Sequence, residues 1–451
     1  MRLALEVAAA RSVGAISRFA GRGGGTTLPG KLLATVDPGA VDRLAAELPL
    51  GSVLVSATNG KTTTTAMVAE ILGCRLAYNR SGANLLSGIT STLLASRGAE
   101  LGLFEVDEAS LRSVARRLRP RIVALGNLFR DQLDRYGELE HVAEVWRATV
   151  AELPGAQLIV NADDPLLGEL ARGREHVSTY GLDDPRHSRV TLQHAADSKY
   201  CLTCGAPFDY AATYVGHLGD YRCASCDLAR LPLDVAAREI EPRGLDGTDF
   251  TLVTPAGTAR VQLALPGLYN VYNATAAAAI ALSLETPLTE VAAGLGRFVS
   301  AFGRFERISV GEKRLLMLLI KNPAGGNEAV GTLLDAAPPR FAVMALNDEI
   351  ADGRDVSWIW DVDFEPLLPG LERVVATGTR AAELALRLAY GGLARDRIEV
   401  VPPLEQALDR GLELTPQGEQ LVVLPTYTAM LGLRGILARR GLVPDFWEQK
   451  P

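Results

Sequence analysis

Short, largely apolar runs recur in the first part of the chain, at 52–56, 101–106, 122–125 and 157–161. Runs of this length, apolar at successive positions and bounded by turn residues, are the pattern of buried strands. Helical stretches lie between them, at 64–72, 110–119 and 141–153. The alternation predicts a parallel sheet covered by helices on both faces. After an interruption, strands are expected at 250–253 and 259–265, and an alanine-rich helix at 273–284. A second series then begins, with strands at 315–320, 341–346, 374–377, 398–401 and 420–424 and helices at 327–336, 380–390 and 404–412. The predicted fold class is α/β, a large central domain built on a parallel sheet followed by a smaller α/β domain.

Glycine and proline mark the joints. Gly21-Arg22-Gly23-Gly24-Gly25 and Pro29-Gly30 separate a first helix from the first predicted strand, and 1–48 reads as an N-terminal segment. The central domain is expected over 49–303 and the C-terminal domain over 304–451, divided where Gly303-Arg304-Phe305-Glu306-Arg307 leads into Glu312-Lys313-Arg314. At 197–230 a cysteine-bearing stretch with Gly205, Pro207, Gly216 and Gly219 interrupts the alternation and reads as an insertion.

At 451 residues the chain exceeds one ordinary core, which agrees with this division. A hydrophobic share of 48% with 22% charged residues is that of a soluble globular protein. The formal net charge of −7 provides no global field for nucleic acid or an anionic bilayer. Glu6 and Arg11 interrupt the apolar N-terminus, so it reads as an amphipathic helix rather than a signal peptide. No uncharged apolar run of about 18 residues occurs, and a cytoplasmic protein is expected.

Two motifs carry chemistry. Ser56-Ala57-Thr58-Asn59-Gly60-Lys61-Thr62-Thr63 stands between a predicted strand and a predicted helix, the context of a phosphate loop. Gly60 lets backbone N–H groups approach phosphate oxygens, Lys61 would reach the β- and γ-phosphates, and the Thr62 hydroxyl would ligate Mg²⁺. Val55 stands where the general motif has its first glycine. The second motif is Cys201, Cys204, Cys223 and Cys226, spaced C-x2-C-x18-C-x2-C as in a structural four-thiolate zinc ribbon. A nucleic-acid-binding ribbon is disfavoured because Lys199, Arg222 and Arg230 are outnumbered by Asp197, Asp209, Asp220 and Asp227. His217 lies between the cysteine pairs, but the ligand set is complete without it.

The shortened phosphate loop resembles that of the Mur ligases and folylpolyglutamate synthetases, which join an amine to a carboxylate through an acyl phosphate. Other segments resemble the same superfamily. Phe104-Glu105-Val106-Asp107-Glu108-Ala109-Ser110 follows a strand where the family places a magnesium-holding glutamate, and Glu108 matches it best. The segment Asn127 to Gly137 resembles the family's Asn-x-x-x-Asp-His-Leu-Asp string, with Gln132 in place of the histidine. Pro266-Gly267-Leu268-Tyr269-Asn270-Val271-Tyr272-Asn273-Ala274 resembles its adenine-contacting segment, and the string around Arg304 its interdomain arginine motif. The resemblance implies an ATP-binding set of Thr58, Asn59, Gly60, Lys61, Thr62, Thr63, Asn270, Asn273 and Arg304. It implies magnesium at Thr62 and Glu108, with Lys61 and Glu108 also catalytic. Read alone, Asn273 would serve equally as a helix cap, Arg304 as a surface ion pair, and Glu105, Asp107 and Glu108 as acids at a strand end.

Within this superfamily the chain is most similar to the MurT family, ligase subunits of MurT–GatD lipid II isoglutaminyl synthases. The likeness rests on the cysteine insertion, on Lys321-Asn322-Pro323-Ala324-Gly325 and on the Asn347 to Asp361 string containing Arg354-Asp355-Val356-Ser357-Trp358-Ile359-Trp360. It implies ATP-dependent amidation of the D-glutamate α-carboxylate of lipid II to D-isoglutamine, at the inner face of the cell membrane. Of the five cysteines, four lie in the ribbon motif and Cys74 reads as a packing residue, so no glutaminase nucleophile is evident. The resemblance names a GatD-like glutaminase as the source of ammonia, with Asp355 completing that partner's Cys–His pair, Asp352 second choice and Asp361 third. The implied cofactors are ATP, Mg²⁺ and structural Zn²⁺. Two other readings stand: an amino-acid-adding ligase of the same superfamily, and a nucleotide-binding regulatory protein with a zinc ribbon.

Overall fold

The computed structural model describes residues 27–79, 83–131, 139–189, 192, 196–299, 305–336 and 338–444. Gln132, His194 and Arg304 lie outside the described residues.

The central unit is built on a nine-stranded sheet. Its strands are β1 (Ser52–Ser56), β2 (Leu76–Tyr78), β3 (Leu101–Glu105), β4 (Ile122–Leu125), β5 (Gln157–Asn161), β6 (Val177–Leu182), β9 (Val235–Pro242), β10 (Thr248–Thr254) and β11 (Gly257–Leu263). Their order is β11-β10-β9-β6-β5-β4-β1-β3-β2. The pairs from β2 through β9 are parallel, and β9-β10-β11 closes the edge as an antiparallel meander. Strand β1 lies between β3 and β4, so the chain reverses its direction of winding there. In open α/β sheets that is where a crevice opens at the carboxyl ends of the strands.

Alternate residues of the strands feed opposite layers. Val53, Val55, Leu103 and Ile159 face the helices Lys61–Ile71, Leu268–Ser283 and Leu288–Arg297. Leu54, Phe104, Val123 and Leu158 face the helices Leu86–Ala95, Leu111–Leu118, Leu139–Glu152 and Pro165–Ala171. The described part of the N-terminal segment joins this second layer: the Leu28–Val36 and Ala40–Ala45 helices bury Leu33, Val41 and Leu44 in it. Gly30 is required there by close packing, since a Cβ would lie 2.0 Å from the Ser87 carbonyl.

A six-stranded sheet forms the C-terminal unit, from β12 (Phe305–Val310), β13 (Lys313–Leu318), β14 (Phe341–Ala345), β15 (Arg373–Thr377), β16 (Ile398–Val400) and β17 (Gln420–Pro425). The order is β12-β13-β17-β14-β15-β16, parallel except for the β12-β13 hairpin. Leu316, Leu318, Met344 and Val422 belong to the same continuous core cluster as Val53 and Val271 of the central unit. The other face packs on the helices Leu404–Leu414 and Tyr427–Arg439.

The insertion forms a separate hairpin of β7 (Phe208–Val215) and β8 (Leu218–Cys223). Several elements start earlier than the sequence pattern indicated. The helix expected from 64 begins at Lys61, the one expected from 273 at Leu268, and the one expected from 327 at Pro323. Among the described residues, no helix is long and apolar enough to cross a membrane.

Candidate functional site: a phosphate-loop cleft between two sheets

The loop leaving β1 turns into the Lys61–Ile71 helix through Gly60, whose φ of +88° favours glycine. A Cβ there would also meet Asn273 Oδ1 at 2.0 Å, so conformation and space both demand the residue. Asn127, just beyond β4, fixes the loop from the side. Its Oδ1 accepts from the Asn59 N–H at 2.9 Å, its Nδ2 donates to the Asn59 carbonyl at 3.0 Å, and its carbonyl accepts from the Thr58 N–H at 2.9 Å. No side chain caps the helix, so its first-turn N–H groups and positive dipole end are directed at the loop.

Charge is concentrated around this loop. Lys61 Nζ donates to the Ala57 carbonyl and lies 3.0 Å from Glu108 Oε1, with both side chains buried. Burial alone would lower the Lys61 ammonium, but Glu108 and Glu105 outweigh it and hold the ammonium above its ordinary value. Burial pushes the Glu108 carboxyl up, against the pull of Lys61 and Lys321. The Thr62 hydroxyl donates to Glu105 Oε2 at 2.7 Å. A hydroxyl beside two buried carboxylates supplies the hard oxygen donors that magnesium takes, with room left for phosphate and water.

The C-terminal unit reaches the same loop. Lys321 Nζ donates to Asp131 Oδ2 at 2.6 Å and to the Thr58 carbonyl at 3.1 Å. Asn322 and Asn59 exchange side-chain amide hydrogen bonds at 3.0 and 3.3 Å. Beyond these polar contacts the cleft widens to about 960 Å³, counting its open mouth. Its lining includes Asn59, Gly60, Thr63 and Lys321 of the phosphate-loop side and the apolar Val215, Leu218, Leu265 and Phe305. Asn270 and Asn273 border it: Asn270 Nδ2 donates to the Pro266 carbonyl at 2.8 Å, and Asn273 Oδ1 accepts from the Thr64 hydroxyl at 3.3 Å. A polar, donor-rich end joined to an apolar slot suits a nucleotide triphosphate, phosphates at the loop and base in the slot.

The structure thus gathers Thr58, Asn59, Gly60, Lys61, Thr62, Thr63, Glu108, Asn270 and Asn273 around one cleft. It adds Glu105, Asn127, Asp131, Lys321 and Asn322, to which the sequence alone assigns no binding role. Their only signal is that each lies inside a string resembling one of the superfamily's.

Asp355 lies elsewhere in the C-terminal unit, exposed, in the segment between β14 and β15. Its Oδ1 accepts the Ser357 N–H at 2.8 Å, and hydrogen bonding to Ser357 holds its carboxyl below the usual carboxylate value. Asp352 is buried, with both oxygens engaged by Thr428, through the backbone N–H at 2.8 Å and the hydroxyl. Asp361 is exposed. Trp358 packs on the core, whereas Trp360 is 49% exposed, edge-on to Tyr390 and over the Arg387 guanidinium.

At the base of the β7-β8 hairpin the four cysteine sulfurs lie within 4.8 Å of one another, with Cys201–Cys226 at 3.7 Å and Cys204–Cys223 at 3.4 Å. A tetrahedron of Zn–S bonds near 2.3 Å has edges of about 3.8 Å, so the donor set fits zinc. The N–H groups of Ser225 and Cys226 both approach Cys223 Sγ at 3.4 Å, and these bonds, Ser225 foremost, draw that thiol down to about 6. His217 is not near the cysteines. It sits at the opposite end of the hairpin, fully buried against the Phe129 ring.

The two-sheet architecture is that of the Mur ligase class. Residues 55–218 match the Mur ligase middle domain model. Among solved structures, a pseudomurein peptide ligase type C from Methanothermus fervidus superposes with a TM-score of 0.69 at 21% identity, covering 88% of this chain and 80% of that one. A Mycobacterium tuberculosis folylpolyglutamate synthase complexed with ADP and AMPPCP gives 0.61 at 16% identity, covering 90% and 96%. Residues 319–430 match the MurT ligase C-terminal model. The chain is 32% identical over 429 residues to the Streptococcus pneumoniae lipid II isoglutaminyl synthase (glutamine-hydrolyzing) subunit MurT, covering 93% of this chain and 94% of that one. The Staphylococcus aureus (strain N315) subunit of the same name is 31% identical over 415 residues, at 90% and 91% coverage. The chain belongs to the MurT family.

Proposed function

We propose that this chain is the ATP-dependent synthase subunit of a lipid II isoglutaminyl synthase, amidating the D-glutamate α-carboxylate of the stem peptide. The observation that carries the proposal is the phosphate-loop cleft closed by Lys321 and Asn322 in a chain of the MurT family. The carboxylate oxygen attacks the γ-phosphorus of ATP, the bond to ADP breaks, and an acyl phosphate forms. Ammonia then adds to the carbonyl carbon, the carbon–oxygen bond to phosphate breaks, and a proton leaves the nitrogen. Lys61 and the helix N-terminus neutralise charge on the transferring phosphoryl group, the main source of rate in such reactions. Thr62, Glu105 and Glu108 would hold Mg²⁺, which would supply positive charge against the phosphates.

Four of the five cysteines are gathered in the cluster and Cys74 is raised by burial, the reverse of an activated thiol, so the ammonia comes from outside this chain, and membership of the MurT family points to a GatD-like glutaminase as its source. Asp355 is the carboxylate offered to that partner's histidine, being exposed and ionised, whereas Asp352 is consumed internally by Thr428. Cysteine ligands of this spacing close a structural zinc site.

The test is intact-mass analysis of lipid II after incubation with ATP, Mg²⁺ and ammonium, and then with glutamine plus the glutaminase. The small mass decrease of a hydroxyl-to-amino exchange is expected in both. A gain of an amino-acid residue would transfer the chain to the amino-acid-adding ligases. An unchanged mass with nucleotide bound would favour a regulatory role.

A further inference from the structure

The β7-β8 hairpin runs from the cysteine cluster to the nucleotide cleft. Its base carries Cys223 and borders the cluster, while seven residues away, about 23 Å at strand rise, its tip enters the cleft. Val215 and Leu218, the last and first residues of the two strands, are 4% and 2% exposed and line the apolar slot. Between them Gly216 turns at φ +59°, and a Cβ there would stand 2.7 Å from the Phe129 ring. His217 packs on that ring with centroids 4.6 Å apart. Phe129 is in turn bonded to the phosphate loop, its N–H donating to Thr58 Oγ1 at 2.9 Å.

The hairpin is anchored on both sides of the slot. The Gly219 N–H donates to the Asp163 carbonyl at 2.9 Å in the central unit. Arg189 Nε donates to the Tyr214 carbonyl at 3.1 Å, and Arg189 Nη2 donates to Glu328 Oε1 at 2.8 Å on the C-terminal unit's Pro323–Ala336 helix.

We propose that the tip of the ribbon hairpin is a wall of the nucleotide-base pocket, with Val215 and Leu218 positioning the base, so that metal binding by the four cysteines and nucleotide binding are thermodynamically coupled. This rests on the reading of the cleft as the ATP site. A two-stranded hairpin is marginal in water, and metal at its base adds order to strands that the contacts at the tip hold from the other end. Losing the metal loosens the hairpin, and the slot then forms at the added cost of ordering it. By linkage the effect is reciprocal: nucleotide in the slot slows metal loss.

The experiment measures binding of a fluorescent ADP analogue to the full chain, alongside zinc content and thermal midpoint. Leu218→Ala and Val215→Ala should each weaken binding by about tenfold while the zinc content stays that of the wild type. Cys204→Ser, altering the exposed ligand at the far end, should lose zinc and weaken binding by a similar factor. Combining it with Leu218→Ala should add little, because both release the same wall. Leu202→Ala, on the exposed face of the ribbon, should leave both quantities unchanged. In the reciprocal arm, ADP should slow zinc transfer to a chelator in the wild type and fail to do so in Leu218→Ala. Should Cys204→Ser aggregate, chelator treatment of the wild type supplies the zinc-free state. Tight ADP binding that ignores both the tip substitutions and zinc removal overturns the coupling and leaves the ATP reading intact. A wild-type chain that binds no ADP overturns the ATP reading and this proposal with it.

Discussion

Glu105 ends β3 and Glu108 follows three residues later, yet the structure gives them different partners: Glu105 the Thr62 hydroxyl, Glu108 the Lys61 ammonium. If Thr62 and Glu105 hold the magnesium between them, Glu105→Gln keeps the shape but weakens the metal. Its half-saturating Mg²⁺ should rise by about tenfold, with maximal rate largely restored at high Mg²⁺. An activity loss that no magnesium concentration repairs would reject that role. A similar contrast separates the two aspartates of the C-terminal loop. Asp355→Asn should depress glutamine-driven amidation by at least about a hundredfold in the paired enzyme, because an amide cannot stabilise the imidazolium. Ammonia-driven amidation should be untouched. Asp352→Asn should instead lower the thermal midpoint, since it disturbs the buried contacts to Thr428 at the start of the Tyr427–Arg439 helix. Equal loss with both nitrogen sources in Asp355→Asn would remove it from the ammonia-generating step.

Strands β1, β4, β14 and β15 could be read from the chain because burial on both faces makes them nearly continuous apolar runs. Strand β9 escaped because its outer half, Arg238 to Pro242, is largely solvated and charged. The Leu86–Ala95 helix escaped for another reason: its serines, threonines and Gly88 lower helix propensity, and packing on the Leu28–Val36 helix overrides that. Gly325 and Gly326 likewise made the start of the Pro323–Ala336 helix look like a loop. A Cβ at Gly326 would lie 2.8 Å from Val362, so the small residue is there for packing. At the site, the phosphate loop was legible as a local string. The Lys321–Asp131 pair spans 190 residues and no local pattern announces it. The tip of the ribbon was still less visible, because Val215 and Leu218 look like ordinary strand residues. Leaving β6, Asp184 accepts both the Ile240 N–H and the Arg186 guanidinium, and the latter foremost holds its carboxyl down to about 2. A carboxyl depressed in the folded state stabilises it above the ordinary carboxylate pKa, and that contribution is lost as pH falls through the folded value. Asp184→Asn should therefore cost at most about 2 kcal/mol at neutral pH, less because Arg186 is exposed to solvent. Thermal midpoints should show a constant deficit down to about pH 4 that narrows below it. A deficit that grew on acidification would contradict the assignment.

The two sheets are held together in two ways that differ greatly in strength. Lys321 to Asp131, Asn322 to Asn59 and Glu328 to Arg189 bridge the units through polar groups, most of them partly open to water. Such contacts contribute about 1 kcal/mol each. Phe305, Leu318, Ile320 and Leu333 of the C-terminal unit share a continuous core cluster with Val271, Tyr272 and Leu265 of the central one. Each fully buried side chain of this kind contributes roughly 2 kcal/mol. The apolar term dominates, so cooperativity between the units does not depend on the polar bridges, whose position over the phosphate loop gives them a different role. Lys321→Ala with Asn322→Ala should weaken ATP binding by about tenfold, while calorimetry still records one unfolding transition. Phe305→Ala, cutting into the shared core at the edge of the cleft, should broaden that transition or split it. If the polar pair split it and Phe305→Ala did not, the hydrogen bonds across the cleft would be the true joint between the domains.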